Sequence, residues 1–263
     1  MSYKKLEVKS PFEVEKYRHE LAVARRIKEL KLTYGANLPE IKNLNTGQMW
    51  DKLNETTNNT FLSNPMAHDR IKTVVGYLGE IRDNFTILDI GFGPADFERC
   101  VDQSFGKKVN IVGLDISNSS IDRAKKEYPQ WRFIQGSIEK RNVEDNFDCV
   151  VALEVLEHVS PKYVFRVLNK IYRLLKNNGK FIVSVPLNER LEKLIKSGSN
   201  PNAHVRIYTK ELVEAELRIA RFQIIKHRFL YAFHTNYWIK SVAARLFGLG
   251  KKPNNVVLLA QKL

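Results

Sequence analysis

Glu154, Glu157 and His158 in the segment EVLEHV, and His204 in NPNAHVRIYTKEL, have side chains able to move a proton or hold a metal ion. If a helix begins near residue 154, positions 154, 157 and 158 share one face at i, i+3, i+4 spacing. An imidazole titrating near neutrality suits proton abstraction, which makes His158 a candidate general base. Carboxylates and imidazoles together also suit a divalent ion that orients a hydroxyl, with His204 as a further ligand. A third reading makes EVLEH a structural brace for an active-site wall. The sequence leaves the three open: His158, Glu154 and His204 stand as catalytic candidates, and no residue is assigned as a metal ligand.

A second constellation lies upstream. The run ILDIGFGPADF places Asp89, Gly91 and Gly93 where an apolar strand turns into a helix. Glycines permit the tight turn and close ligand approach, and free N–H groups at a helix start bind carboxylate or phosphate. Asp115, in GLDIS, lies 22 residues beyond Gly93 at the end of the next strand. An acid there can accept both hydrogen bonds of a ribose diol. The alternative is an aspartate that caps a helix, but Ser117 is already placed for that role. Together the two pieces point to an adenosine-containing ligand.

The elements that must position these residues follow a regular order. Apolar, β-rich runs occur at 86–91, 110–116, 131–136, 147–153 and 180–186. Helical patterns separate them at 95–105, 118–128, 139–143 and 161–176, an alternation that implies parallel strands joined by right-handed crossovers. Two further strands are expected at 222–232 and 255–262, with a basic amphipathic segment at 236–249 between them. Ahead of the first strand, Pro11 to Leu32 has helical spacing of apolar residues, 35–64 reads as irregular with a short helix around Met49 to Leu53, and a helix resumes at Asn64. The expected organisation is an N-terminal helical and irregular extension over 1–63, which could serve as a lid, and a domain over 64–263 with a substrate-side insertion near 187–252.

Composition narrows the setting. The chain of 263 residues is 43% hydrophobic and 27% charged, an ordinary soluble balance. No apolar run approaches membrane-spanning length and MSYKKLEVKS has no apolar leader core, so the expected compartment is the cytoplasm, with contact to a membrane periphery left open. Cys100 and Cys149 are expected as reduced thiols. The net charge is +14, and residues 151–263 hold 20 Lys/Arg against 7 Asp/Glu, so the excess sits in the second half. Such a surplus favours anionic partners, although a solvated basic surface gives the same count.

The ordered set ILDIGFG, VGLDISNSSIDRAKK, FIQGSI, FDCVVALEVLEHV and LLKNNGKFIVSVP resembles class I S-adenosylmethionine-dependent methyltransferases, especially those of ubiquinone-biosynthesis type. The resemblance covers about residues 64–263 and implies an α/β fold: a Rossmann-like, seven-stranded, mostly parallel sheet with helices on both faces. It further implies that Gly91 and Gly93 line the methionine end of S-adenosylmethionine, with Asp89 orienting the loop or approaching the amino group. Asp115 would hold the ribose hydroxyls, Ile116 would pack on adenine, Ser137 and Ile138 would border the adenine edge, and Leu153 would close the pocket. Arg70 matches an arginine that pairs with the methionine carboxylate; otherwise it is a solvated helix residue. Some ubiquinone-type O-methyltransferases and small-RNA 2′-O-methyltransferases share the E-x-x-E-H element as a metal site, so a divalent ion is a second cofactor to consider. Three positions depart from the family pattern: Ala95 replaces the third glycine, Ser137 an acid, and Asn177-Asn178-Gly179 a Pro-Gly-Gly.

The expected activity is O-methylation of a small-molecule or lipid-linked acceptor, anionic in keeping with the charge. The aromatic and basic stretch 229–252 fits peripheral membrane contact and an acceptor wall. Alternatives are an RNA methyltransferase and a non-catalytic cofactor-binding protein.

Overall fold

Along the central strands, successive residues leave for opposite faces of one sheet, as the two-residue period of a strand requires. Leu88, Val150, Ala152, Phe181 and Val183 enter one buried cluster, whereas Ile87, Cys149, Val151 and Ile182 enter the other. In this computed structural model, residues 45–56, 64–144, 146–161, 163–187, 189, 193, 200, 202–233, 235–248 and 252–263 are described. The expected helix from Pro11 to Leu32 and most of 188–201 lie outside them.

The described elements run α1 (Gly47–Thr56), α2 (Pro65–Leu78), β1 (Phe85–Ile90), α3 (Asp96–Phe105), β2 (Val109–Asp115), α4 (Asn118–Glu127), β3 (Arg132–Gln135) and β4 (Phe147–Leu153). A 3₁₀ turn (Leu156–His158) follows, then α5 (Val164–Leu174), β5 (Leu175–Pro186), α6 (Lys210–Ile219), β6 (Phe222–Leu230), α7 (Tyr237–Phe247) and β7 (Asn255–Lys262). The strands form a seven-stranded sheet in the order β3-β2-β1-β4-β5-β7-β6. Pairs among β1 to β5 are parallel, and β7 runs antiparallel to both β5 and β6. The expected Rossmann-like, mostly parallel sheet is therefore present. Apolar residues of α2, α3 and α4 fill one cluster and those of α5 and α6 the other, which places helices on both faces.

Two local expectations are corrected. Residues 139–143 form a turn and irregular chain rather than a helix. No α-helix begins at 154: Glu154 has φ +57° and is followed by the 3₁₀ turn, so the EVLEH side chains are arranged by a tight turn rather than by a helical face. Elsewhere local chemistry sets the ends. Asn64 caps α2 by accepting from the Met66 N–H, with Pro65 at the first helical position, and the Ser117 hydroxyl accepts from the Ser120 N–H to cap α4.

The sheet order reverses direction at β1, with β2 and β3 on one side and β4 and β5 on the other. Parallel α/β sheets bind ligands outside the strand C-termini at such a switch point. Asp89, Asp115 and Leu153 all stand at or beside those ends.

Candidate active site

The turn after β1 is built on three alternate left-handed positions: Gly91 (φ +70°), Gly93 (φ +55°) and Ala95 (φ +62°). The Gly91 N–H donates to the Leu114 carbonyl at 2.7 Å. A Cβ on Gly91 would lie 2.7 Å from Val155 Cγ2, so only glycine fits, whereas a Cβ on Gly93 would meet nothing within 4 Å. The chain thus leaves open space beside Gly93, as close ligand approach requires. Ala95 accepts the strain that a glycine would relieve.

Asp115 points at this turn. Its carboxylate accepts from the Gly93 N–H at 2.9 Å and from the Ser117 N–H at 2.8 Å. Burial raises its pKa, and the N–H donors of Ser117, Gly93 and Ile116 oppose that rise. Asp89 lies beneath the loop, buried beside Glu98 of α3. Burial first, and Glu98 next, push the Asp89 carboxyl far up; burial also pushes the Glu98 carboxyl up to about 8. A carboxyl that holds its proton more tightly folded than unfolded stabilises the fold at low pH and loses that contribution as pH rises from the ordinary carboxylate range through about 8. Glu98→Gln is accordingly expected to raise the melting temperature at about pH 9 and to leave it little changed at about pH 5. Thermal melts of both proteins at the two pH values check this, and equal pH slopes would contradict it.

Ile116 and Leu153 are half-buried at the strand ends. The Ser137 hydroxyl accepts from the Glu139 N–H at 3.1 Å, and the Ile138 side chain is taken up by the core. Helix α1, the short helix expected around Met49 to Leu53, crosses this region, and nothing in the sequence pattern assigned its residues to the site. The Asp51 carboxylate accepts from the Ser117 hydroxyl at 2.7 Å and the Ser119 N–H at 3.0 Å, contacts that lower its pKa. Asn54 donates to Ser117 and Ser120, and the Trp50 indole meets the His158 ring edge-on at 5.2 Å between centroids. A helix that bridges the N-terminus of α4 and the catalytic candidate has no signal in spacing, because its partners lie more than sixty residues away.

On the β4 side, Arg70 and Glu154 pair with each other at 3.1 Å. Arg70 is buried, not a solvated helix residue. Glu154 Oε1 also accepts from Ser184 Oγ at 2.7 Å and Asn255 Nδ2 at 2.8 Å, so this carboxylate is heavily engaged. Glu157 is fully buried, and neither of its oxygens has a hydrogen-bond partner among the described residues. Burial, reinforced by the Glu154 charge, raises its pKa strongly.

The two histidines complete a tight group. His158 Nδ1 faces the Ala203 carbonyl at 3.2 Å and His204 Nδ1 faces Glu189 Oε2 at 2.7 Å. Both partners only accept, which puts a ring proton on each Nδ1, and His204 Nε2 lies 3.9 Å from Glu157 Oε1. Burial, followed by the neighbouring His204, pushes His158 down to about 4. Ligand atoms of Glu157, His158 and His204 lie within 4.8 Å of one another. Asn200 brackets His204 through both its backbone N–H and its carbonyl. Two imidazole nitrogens and an orphaned carboxylate match the donor set of a divalent transition-metal site.

A parallel sheet with this order, glycine turn and acid at the second strand define a class I methyltransferase architecture. Residues 87–179 match a family model described as a methyltransferase domain. S-adenosylmethionine is the methyl donor of this class. An uncharacterized protein of Methanocaldococcus jannaschii is 33% identical over 153 residues, covering 58% of this chain and 61% of that protein, less than two thirds of its length. The structure of N-methyltransferase NodS from Bradyrhizobium japonicum, in complex with S-adenosyl-L-homocysteine, superposes with a TM-score of 0.60 at 12% identity, covering 83% of this chain and 98% of that one. A mycolic acid cyclopropane synthase complexed with S-adenosylhomocysteine gives 0.56 at 15% identity, covering 79% and 87%. At these identities the structures speak to the fold.

Proposed function

We propose that the protein methylates an oxygen on a small-molecule or lipid-linked acceptor, using S-adenosylmethionine. The observation that supports the donor in this reading is the Asp115 carboxylate turned onto the Gly93 N–H beside open space, at the switch point of the sheet. Asp115 would hold the ribose hydroxyls, Ile116 would pack on adenine, Ser137 and Ile138 would border its edge, Ile138 through its backbone, and Leu153 would close the pocket. Gly91 and Gly93 allow the chain to approach the methionine end, with Asp89 bracing the turn from below. Arg70 is positioned to meet a carboxylate in exchange for, or alongside, its pairing with Glu154. The donor supplies an electrophilic methyl group on a sulfonium.

The acceptor hydroxyl must lose its proton, and the His158 ring, held through Nδ1 at the Ala203 carbonyl and packed edge-on against His204, would take it at Nε2. Burial keeps the His158 ring neutral, so it can accept that proton at Nε2. His158→Ala is expected to lower kcat on the order of a hundredfold or more while leaving S-adenosylhomocysteine affinity within about twofold. The direct test incubates the full-length protein with S-adenosylmethionine labelled in its methyl group and with metabolite and lipid extracts, followed by mass spectrometry. Label in the small-molecule or lipid fraction supports the reading. Label confined to added RNA would replace it with the RNA alternative, and absence of S-adenosylhomocysteine affinity would remove it altogether.

One observation favours a second reading of the same side chains. An imidazole pushed down to about 4 is a weak base but is already in the neutral form that ligation requires, and the orphaned Glu157 lacks a partner that a cation would provide. Glu157, His158 and His204 would hold a divalent ion, whose role would be to polarise the acceptor oxygen. Metal analysis after dialysis of the full-length protein against manganese or zinc salts separates the two: about one ion per chain, lost in Glu157→Ala, supports the ion, and none leaves His158 as base.

A further inference from the structure

Helix α7 is held to the domain by one face and presents the wrong chemistry on the other. Its buried side carries Tyr237, Ser241 and Ala244. The Tyr237 hydroxyl and Arg245 Nη2 both donate to Asp69 Oδ2 at 3.0 Å, and Arg228 of β6 donates to Asp69 Oδ1 at 2.9 Å. Asp69 is 1% exposed, so these bonds fix α7 against α2 and β6. The opposite face of a helix on a domain surface is ordinarily polar. Here it carries Trp238 (44% exposed), Ile239 (75%), Val242 (50%), Leu246 (71%) and Phe247 (73%). Five of the eight exposed large apolar side chains among the described residues therefore stand on these eleven positions. A contiguous apolar face of this kind marks an interaction surface.

The surroundings of the face decide its partner. Lys72 of α2 places Nζ 6.0 Å from the Trp238 ring centroid, Lys240 is exposed on α7 itself, and Lys252 is exposed ahead of β7. From residue 217 to residue 263 the sequence contains nine Lys/Arg and not one Asp or Glu. The nearest acid in the anchoring network, Asp69, is buried and bonded to two arginines. An apolar stripe rimmed by unopposed cations repels a second copy of itself, and its aliphatic centre offers nothing to RNA. It matches the boundary of an anionic bilayer, where acyl chains receive the apolar side chains and headgroups meet the lysines.

We propose that the outer face of α7 docks the protein on an anionic membrane surface as an interfacial helix. Trp238, Ile239, Val242, Leu246 and Phe247 enter the headgroup boundary, and Lys72, Lys240 and Lys252 contact lipid phosphates or carboxylates. The Asp69 network joins this helix to α2, whose next residue, Arg70, faces the active site. Docking would thus present the site to acceptors that reside in the membrane. The surface stands without the methyl-transfer reading, since S-adenosylhomocysteine affinity is measured on the same samples and moves independently of lipid binding.

Flotation of the full-length protein with vesicles of phosphatidylcholine, alone or with phosphatidylserine, tests the proposal. The expected result is binding that requires phosphatidylserine, weakens with added salt, and falls about tenfold or more in Leu246→Glu/Phe247→Glu. That variant should keep its melting temperature and its S-adenosylhomocysteine affinity; if it fails to fold, Ile239→Glu, at the most exposed position, provides the reading. Lys240→Glu/Lys252→Glu is expected to remove the phosphatidylserine dependence. Absence of binding to the anionic vesicles, binding unaffected by the apolar substitutions, or a dimer in size-exclusion chromatography that those substitutions dissociate would each overturn it.

Discussion

Asp115→Ala is expected to weaken S-adenosylhomocysteine binding about a hundredfold, measured by titration calorimetry. Two hydrogen bonds from ribose hydroxyls to a carboxylate contribute roughly 1.5 kcal/mol each, and about 3 kcal/mol corresponds to a factor near one hundred. The carboxylate also ties Gly93 to Ser117 through their backbone N–H groups, so alanine loosens the turn that the ligand must meet. Asp115→Asn is expected to fail almost as badly, because its amide would turn a donor toward one of two N–H donors. Burial raises the Asp115 pKa, so affinity should decline on the acid side as the carboxyl takes up a proton. Calorimetry across about pH 4 to 7 follows that loss, and an alanine variant within about twofold of the original affinity would remove Asp115 from the cofactor site.

The largest effect on stability is expected away from the cofactor. Arg206 and Glu216 form an ion pair with side chains almost wholly excluded from solvent, and the Tyr208 hydroxyl donates to Glu216 Oε2 at 3.0 Å while accepting from Arg206. Removing one partner of a buried pair leaves an uncompensated charge, which costs about 3–5 kcal/mol. Glu216→Ala should therefore lower the melting temperature by roughly 10 °C in a domain of this size. Arg206→Met/Glu216→Leu, which removes both charges and fills the space, should recover most of that loss. A melting temperature within about 2 °C of the original for Glu216→Ala would show that the pair is relaxed or hydrated in solution. The network has a second consequence, because Arg206 and His204 are two residues apart and the Val205 N–H donates to the Glu157 carbonyl at 3.0 Å. Loss of the pair should also reduce activity more than S-adenosylhomocysteine affinity, since it disturbs the histidine side of the site and leaves the β1–β2 side untouched.

Much of the architecture is legible residue by residue. The apolar runs at 86–91, 110–116 and 147–153 alternate faces as strands do, and Ser117 and Asn64 announce the starts of α4 and α2 through their own side chains. Gly91 and Gly93 are equally readable, since left-handed backbone conformations favour glycine. The shared helical face that a helix start at 154 would give is absent, because a Glu in a left-handed conformation carries no local signature; Glu154, at φ +57°, is held by Ser184 and Asn255, which arrive from β5 and β7.

The amino-acid sequence by itself determined the alternation of strands and helices, the glycine turn and the acid at the end of β2, because each depends on neighbours within a few residues or on a fixed spacing along adjacent strands. Only the tertiary structure decided that Arg70 meets Glu154, that Glu157 is buried beside His158 and His204 with no hydrogen-bond partner among the described residues, that α1 spans the site, and that α7 turns its apolar side outward. Those outcomes join residues separated by tens to more than a hundred positions. They follow from which surfaces the sheet brings together and which it leaves to solvent, a choice made by the packing of the whole domain.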